Sequence, residues 1–149
     1  MSTLKYADIR PWLSIGNREI CTEEKFKQSA CIHIYREDMP HYTCPFADHK
    51  EDYRFAYKDG EGLDNSSLQI LKEEILGLVE SCNHLIVHCH AGQTRSPLIG
   101  LFVLTIIENK HPFELLPDLY KNIWQGYHVM PNISLTPLID IVNWFEQGK

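Results

Sequence analysis

The chain lacks any hydrophobic run long enough to span a bilayer. Among its 149 residues the longest nearly apolar stretch, 98–107, is about half the length a membrane helix needs. The opening residues, Met1-Ser-Thr-Leu-Lys-Tyr-Ala-Asp8, hold no apolar stretch of signal-peptide type. Positive charge is also short. Fourteen Lys and Arg stand against twenty Asp and Glu, a net charge of −6, which excludes a generic nucleic-acid coat; any phosphate must be held by a local pocket. Cysteines are too few and odd in number, at 21, 31, 44, 82 and 89, for a disulfide framework, so a reducing compartment is expected. Cys-x-x-Cys and His-x-x-x-His spacings are missing despite eight histidines, and neither a metal nor an organic cofactor is expected. Repeats, low-complexity tracts and long charge runs are absent as well. What is present, 44% hydrophobic and 23% charged residues, is the balance of a globular protein. The expectation is one cytoplasmic domain over residues 1–149, with one core and one site, and no nucleic-acid or membrane partner.

Hydrophobic patterning orders the elements. Residues 9–16 read as a short strand closed by Gly16, and 22–29 as a short charged helix capped by Thr22. Residues 30–35 (ACIHIY) and 53–57 have strand character, while 39–50, with two prolines and no clear period, read as a loop. Asp48 to Asp52 reads as a solvated charge cluster. Ser66-Ser67-Leu68-Gln69 fits a capping box, after which Leu68, Leu71, Ile75, Leu78 and Val79 follow a helical period. Residues 84–88 form a compact apolar strand, and 95–108 a strongly apolar helix. His111-Pro112 opens a further helix, bent at Pro117, and Leu135, Leu138, Ile139 and Val142 give the last helix its buried face. Strands alternating with helices, then helices alone, predict an α/β fold with a central, mainly parallel sheet flanked by helices.

One segment carries chemistry: Leu85-Ile-Val-His-Cys-His-Ala-Gly-Gln-Thr-Arg-Ser-Pro97. A buried strand delivers Cys89 at its C-terminal end, five residues turn, and Arg95 opens a helix, the place where open α/β sheets bind ligands. The backbone N–H groups of His90, Ala91, Gly92, Gln93 and Thr94 converge in a short loop beside a helix N-terminus, a cradle suited to a phosphate dianion. Arg95 can hold two phosphate oxygens with its planar fork. Cys89, in the same positive field, is expected to act as a thiolate aimed at phosphorus. Ser96 can hydrogen-bond the sulfur and help it leave, and His88 can fix the loop through its ring nitrogens. Cys31, Cys44 and Cys82 read as core thiols.

His88-Cys89-x5-Arg95-Ser96 resembles the signature of the cysteine-dependent protein tyrosine phosphatases, and the chain is most similar in length and flanks to the dual-specificity branch. Trp12-Leu-Ser-Ile-Gly16 resembles that family's early strand, residues 30–34 its central strand, 53–59 the strand leading to its acid loop, and Pro131-Asn132 its C-terminal segment. The resemblance implies a two-step mechanism through a phosphocysteine, with an aspartate as acid and then base. Two aspartates stand in the right loop. Asp59-Gly-Glu-Gly-Leu-Asp64-Asn-Ser-Ser67 resembles the family's D-x4-D-x-S-S string, which assigns the acid to Asp59 and the helix start to Asp64. Trp124 and Tyr127 occupy places where the family often has arginines for a second anionic group. The lysine-rich loop of phosphoinositide phosphatases and the HCTHGxNRT-like string of RNA triphosphatases are both missing. The resemblance thus implies a hydrolase of phosphotyrosine, and also phosphoserine and phosphothreonine, on a protein substrate. A phosphate-binding module without turnover, and the same chemistry on a nucleotide or lipid, are the alternatives.

Overall fold

The computed structural model describes residues 6–17, 19–20, 23–36, 51–89 and 93–148. The loop expected at 39–50, the cap expected at Thr22, Cys21 and Cys44, and the cradle residues His90, Ala91 and Gly92 lie outside these. Among the described residues, no helix is long and apolar enough to cross a membrane.

Among the described residues, five strands form one sheet. They are β1 (Tyr6–Arg10), β2 (Leu13–Gly16), β3 (Ala30–Tyr35), β4 (Glu51–Ala56) and β5 (Leu85–His88), in the spatial order β1-β2-β5-β3-β4. Only β1, at the edge, is antiparallel to its neighbour; β2, β5, β3 and β4 run parallel. The mainly parallel sheet is the one the alternation of elements predicts. The stretch 9–16 is not one strand, however, but parts of two. Pro11 has no N–H for a ladder and its fixed φ suits a turn, so the chain reverses at Pro11-Trp12. The expected helix over 22–29 shrinks to a single 3₁₀ turn, Glu24–Phe26, with no side-chain cap.

Period-two alternation divides the sheet's faces. Ile32, Ile34, Leu85 and Val87 enter the main core together with Leu68, Leu71 and Ile75, and with Leu98, Ile99 and Phe102. These last belong to α1 (Asn65–Ser81) and α2 (Arg95–Glu108). Cys31 and Ile86 face the other way, into a smaller cluster with Ile20 and Phe26. Helix α2 spans the predicted residues and ten consecutive side chains of it, Ser96 to Thr105, are buried. An all-apolar helix of this kind needs partners on every side. It has them in β2, β5, α1, α3 (Pro112–Tyr127) and α4 (Leu135–Gln147).

Helix boundaries depart from the sequence reading in two places. Of the two helix starts open in the sequence, the capping box at Ser66 does not form and Asp64 caps α1, as its place in the D-x4-D-x-S-S string implies: its carboxylate accepts from the Ser67 N–H at 2.7 Å. Gln69 does not reach back but donates to Glu73. A charged acceptor at the positive end of the helix outcompetes a neutral hydroxyl there, and it holds the Asp64 carboxyl below its ordinary value. In α4 the buried face is Leu138, Ile141, Val142 and Phe145, while Leu135 and Ile139 are exposed. Helix α3 runs on through Pro117, which is exposed.

His84 shows how the smaller face is held. Its ring stacks on Phe26, and its nitrogens bond Ser29 Oγ at 2.9 Å and Ser14 Oγ at 3.0 Å. Burial pushes its pKa below 6.5, with Lys25 adding to the shift and Asp8 opposing it. The unfolded chain therefore binds the proton more readily than the folded one. The His84 contribution is complete above pH 6.5 and is lost as pH falls through the depressed folded value. Urea denaturation on descending pH should show a loss of stability that His84→Gln reduces; equal pH slopes for both chains would refute the assignment.

Candidate active site

Strand β5 lies in the middle of the sheet, between β2 and β3. Its C-terminal end delivers Cys89 to the sheet's C-terminal edge, and the chain then turns into α2 at Arg95. Cys89 is 3% exposed. Its sulfur lies 3.4 Å from the Ser96 N–H nitrogen and 3.4 Å from Ser96 Oγ. Ser96 is fully buried, and its hydroxyl donates to the Gly16 carbonyl at 3.0 Å, at the end of β2. The serine thus does more than start a helix. It joins the sulfur to the neighbouring strand: its hydroxyl oxygen accepts from the Cys89 S–H while its O–H is given to Gly16, and its N–H is a donor within reach of the sulfur.

Arg95 reaches across to the next loop. Its Nε stands 3.2 Å from Asp59 Oδ1, the guanidinium largely buried and the carboxylate half exposed. Parallel pairing explains how residues so far apart in sequence meet: β4 ends on the same edge as β5, and residues 57–64 leave β4 there. Three contacts shape this loop. The Tyr57 N–H donates to the Tyr35 carbonyl at 2.7 Å, the Glu61 N–H closes a turn on the Lys58 carbonyl at 3.0 Å, and the Leu63 N–H donates to Asp140 Oδ2 at 2.7 Å. Gly60 sits inside the turn at φ 82°, a conformation that costs other residues energy. Asp64 is spent on capping α1. Of the two aspartates, Asp59 is the one held against Arg95.

Gln93 and Thr94 complete the described part of the cradle. Thr94 occupies the N-cap of α2 with no side-chain cap bond, and its carbonyl accepts from the Leu98 N–H at 3.3 Å. Gln93 is tied to the segment after α3: its carbonyl accepts from the Asn132 N–H at 2.8 Å and its side chain donates to the Met130 carbonyl. That contact gives Pro131-Asn132 a physical role, since it ties Gln93, just ahead of α2, to the segment after α3.

His88 turns its Nε2 into the protein, where it meets His33 Nδ1 at 2.7 Å. The loop residues that it is expected to fix, 90–92, lie outside the described residues. His33 in turn bonds Asp52 at 3.0 Å, so Asp52 is a partner of a buried ring and not part of a purely solvated cluster. Cys31 is buried beside them, and burial pushes its thiol well above the ordinary range, which makes it inert as a nucleophile. Cys82 is half-buried.

Tyr127 was not singled out for the reacting centre on sequence grounds. It ends the apolar stripe Leu115, Leu119, Ile123, Tyr127 of α3, and its hydroxyl is hydrogen-bonded to Ser96. Burial, with the Cys89 sulfur nearby, raises its pKa, so it stays a neutral phenol. The signal was legible: a tyrosine closing a buried helical stripe needs a polar partner for its O–H. Trp124, the other residue at an expected arginine place, is half exposed.

No protein-family model matches the chain, and no curated protein matches it by sequence. Solved structures do match. Human DUSP28 is 13% identical with a TM-score of 0.71, covering 99% of this chain and 98% of that one. A mouse dual-specificity phosphatase complexed with zinc tungstate is 16% identical with a TM-score of 0.74, covering 98% and 89%. PTPMT1 in complex with PI(5)P is 18% identical with a TM-score of 0.66, covering 95% of each chain. At these identities the likeness establishes the fold: this chain is built like the dual-specificity phosphatases.

Proposed function

We propose that the chain is a cysteine-dependent phosphomonoester hydrolase acting on phosphotyrosine, and also phosphoserine and phosphothreonine, in proteins. The observation that carries this reading is the ion pair between Arg95 and Asp59 at the mouth of a loop that starts from Cys89. The pair supports the reading because it joins the expected clamp to the expected acid across a long stretch of chain. The fold neighbours favour the same chemistry.

In this mechanism the Arg95 fork and the N–H groups of residues 90–94 hold the phosphate oxygens and present phosphorus to the sulfur. The Cys89 thiolate forms an S–P bond as the ester P–O bond breaks, and Asp59, which takes up a proton from solvent once it has left Arg95, delivers it to the leaving oxygen. Water then attacks the phosphocysteine, Asp59 takes its proton, and the S–P bond breaks. The departing sulfur is received by the Ser96 N–H, with Ser96 held by its bond to the Gly16 carbonyl and by Tyr127. Asp59 and the substrate compete for Arg95: an incoming dianion must displace the carboxylate from Nε.

Hydrolysis of p-nitrophenyl phosphate in reducing buffer with chelator tests the reading. The expected result is steady turnover that vanadate blocks, with acid quenching of a labelled phosphopeptide reaction trapping one phosphate on Cys89. Vanadate binding without turnover would replace this reading by a phosphate-binding module. Turnover confined to phosphoinositides or nucleotides, with phosphopeptides inert, would move the substrate to a non-protein phosphate.

A further inference from the structure

Behind the reacting centre, on the smaller face of the sheet, three metal-ligating side chains converge. Cys31 and His33 stand two residues apart on β3 and so point the same way, and His88 is the register partner of His33 on β5. Their sulfur and ring nitrogens lie within 4.8 Å of one another. All three are buried, at 0%, 7% and 2% exposure. We propose that Cys31, His33 and His88 form a binding site for a transition-metal ion of zinc type, with Asp52 as its outer partner.

The donor set argues for that class. One thiolate and two imidazoles suit zinc, whereas calcium and magnesium require oxygen ligands. The outer partner is already in place. Asp52 Oδ1 stands 3.0 Å from His33 Nε2 and fixes the proton there. This leaves Nδ1, the atom that faces His88 and Cys31, as the lone-pair donor. A carboxylate holding the far nitrogen of a ligand histidine orients the ring and raises its basicity. Sheet register supplies the rest, because adjacent parallel strands keep their facing side chains at a fixed spacing.

The geometry needs a small adjustment. His33 Nδ1 and His88 Nε2 are 2.7 Å apart and share a proton without the ion. Zinc with Zn–N near 2.0–2.1 Å and Zn–S near 2.3 Å sets its donors about 3.3–3.6 Å apart. The rings therefore part by roughly half an ångström while the thiol closes on them. On binding, the His88 proton passes from Nε2 to Nδ1, and the Cys31 thiol gives its proton to solvent. One metal–sulfur and two metal–nitrogen bonds form, water fills the fourth position, and no electron is transferred. The site shares no residue with the nucleophile, the clamp or the acid, and it stands whether or not the chain hydrolyses phosphate.

Cobalt(II) titration of the reduced, tag-free full chain tests the site. One equivalent should bind and produce thiolate-to-cobalt charge-transfer absorption together with the visible bands of a tetrahedral ion. Zinc should displace both. Cys31→Ala should remove the charge-transfer band, and His33→Gln should weaken binding by at least about a hundredfold. Asp52→Ala should weaken it about ten- to a hundredfold, and Cys89→Ser should leave the spectrum unchanged. Circular dichroism verifies that each variant is folded; the His33 and Asp52 variants carry the test if Cys31→Ala does not fold. A band that survives Cys31→Ala or disappears with Cys89→Ser would overturn the proposal. So would wild type and folded variants that bind cobalt equally weakly.

Discussion

Cys89→Ser is expected to abolish turnover, lowering kcat by at least about four orders of magnitude, or about 5 kcal/mol of transition-state stabilisation. The reason lies in what surrounds the sulfur. Among the described residues its contacts include the Ser96 N–H, a donor that suits an anion and cannot take a proton from an alcohol. A thiol can ionise in such a setting and attack, whereas a serine hydroxyl needs a general base. The cradle and Arg95 are untouched by the change, so the variant should still bind vanadate or a phosphopeptide within a few-fold of wild type. Paired measurements of turnover and binding decide the matter. Residual turnover above about a hundredth of wild type, in protein free of revertant chain, would place the nucleophile elsewhere.

Asp59→Asn should cost about a hundred- to ten-thousandfold in kcat on phosphopeptides, whose leaving oxygens need a proton. The loss should be smaller on p-nitrophenyl phosphate, because nitrophenolate leaves without much help. A second signature follows from the contact of Asp59 with Arg95 Nε. Removing the negative charge removes the substrate's competitor, so KM should fall along with kcat. A residue that merely shapes the loop would not lower both. Asp64→Asn provides the contrast. Its side chain is committed to the first turn of α1, so it should lower thermal stability and leave the leaving-group dependence intact. A steep dependence on leaving group in Asp64→Asn, and none in Asp59→Asn, would exchange the two assignments.

Where the chain's chemistry is local, the sequence was a reliable guide. Helix α2 begins and ends at the predicted residues because an apolar run bounded by Arg95 and the Asn109 turn has few other ways to bury itself. The placement of Cys89 at a strand end needs only the apolar strand before it and the helix after. Misreadings occur where two local devices compete. Ser66 and Asp64 both offer a cap, and the charged acceptor prevails. Leu135 and Ile139 share the period of the buried face, yet α4 turns Ile141 and Phe145 inward instead. One more apolar residue on each side left the period with two solutions. The edge strand β1 was hidden because its turn, Pro11-Trp12, is only two residues long, so the two strands read as one.

The sequence by itself determined an α/β fold with parallel strands and the placing of Cys89 at a strand end ahead of a helix opened by Arg95, since propensity, period and the Cys89-x5-Arg95 spacing act over a few residues. Only the tertiary structure decided which residues meet across strands. The order β2-β5-β3-β4 brings Asp59 to Arg95, Gly16 to Ser96, and Cys31 and His33 to His88. Chain separations of 30 to 80 residues carry no spacing rule, because strand order depends on burying the whole sheet beneath its helices and not on any short segment. The position of Cys89 was legible for that reason, while the histidines behind it became a cluster only when β3 settled beside β5.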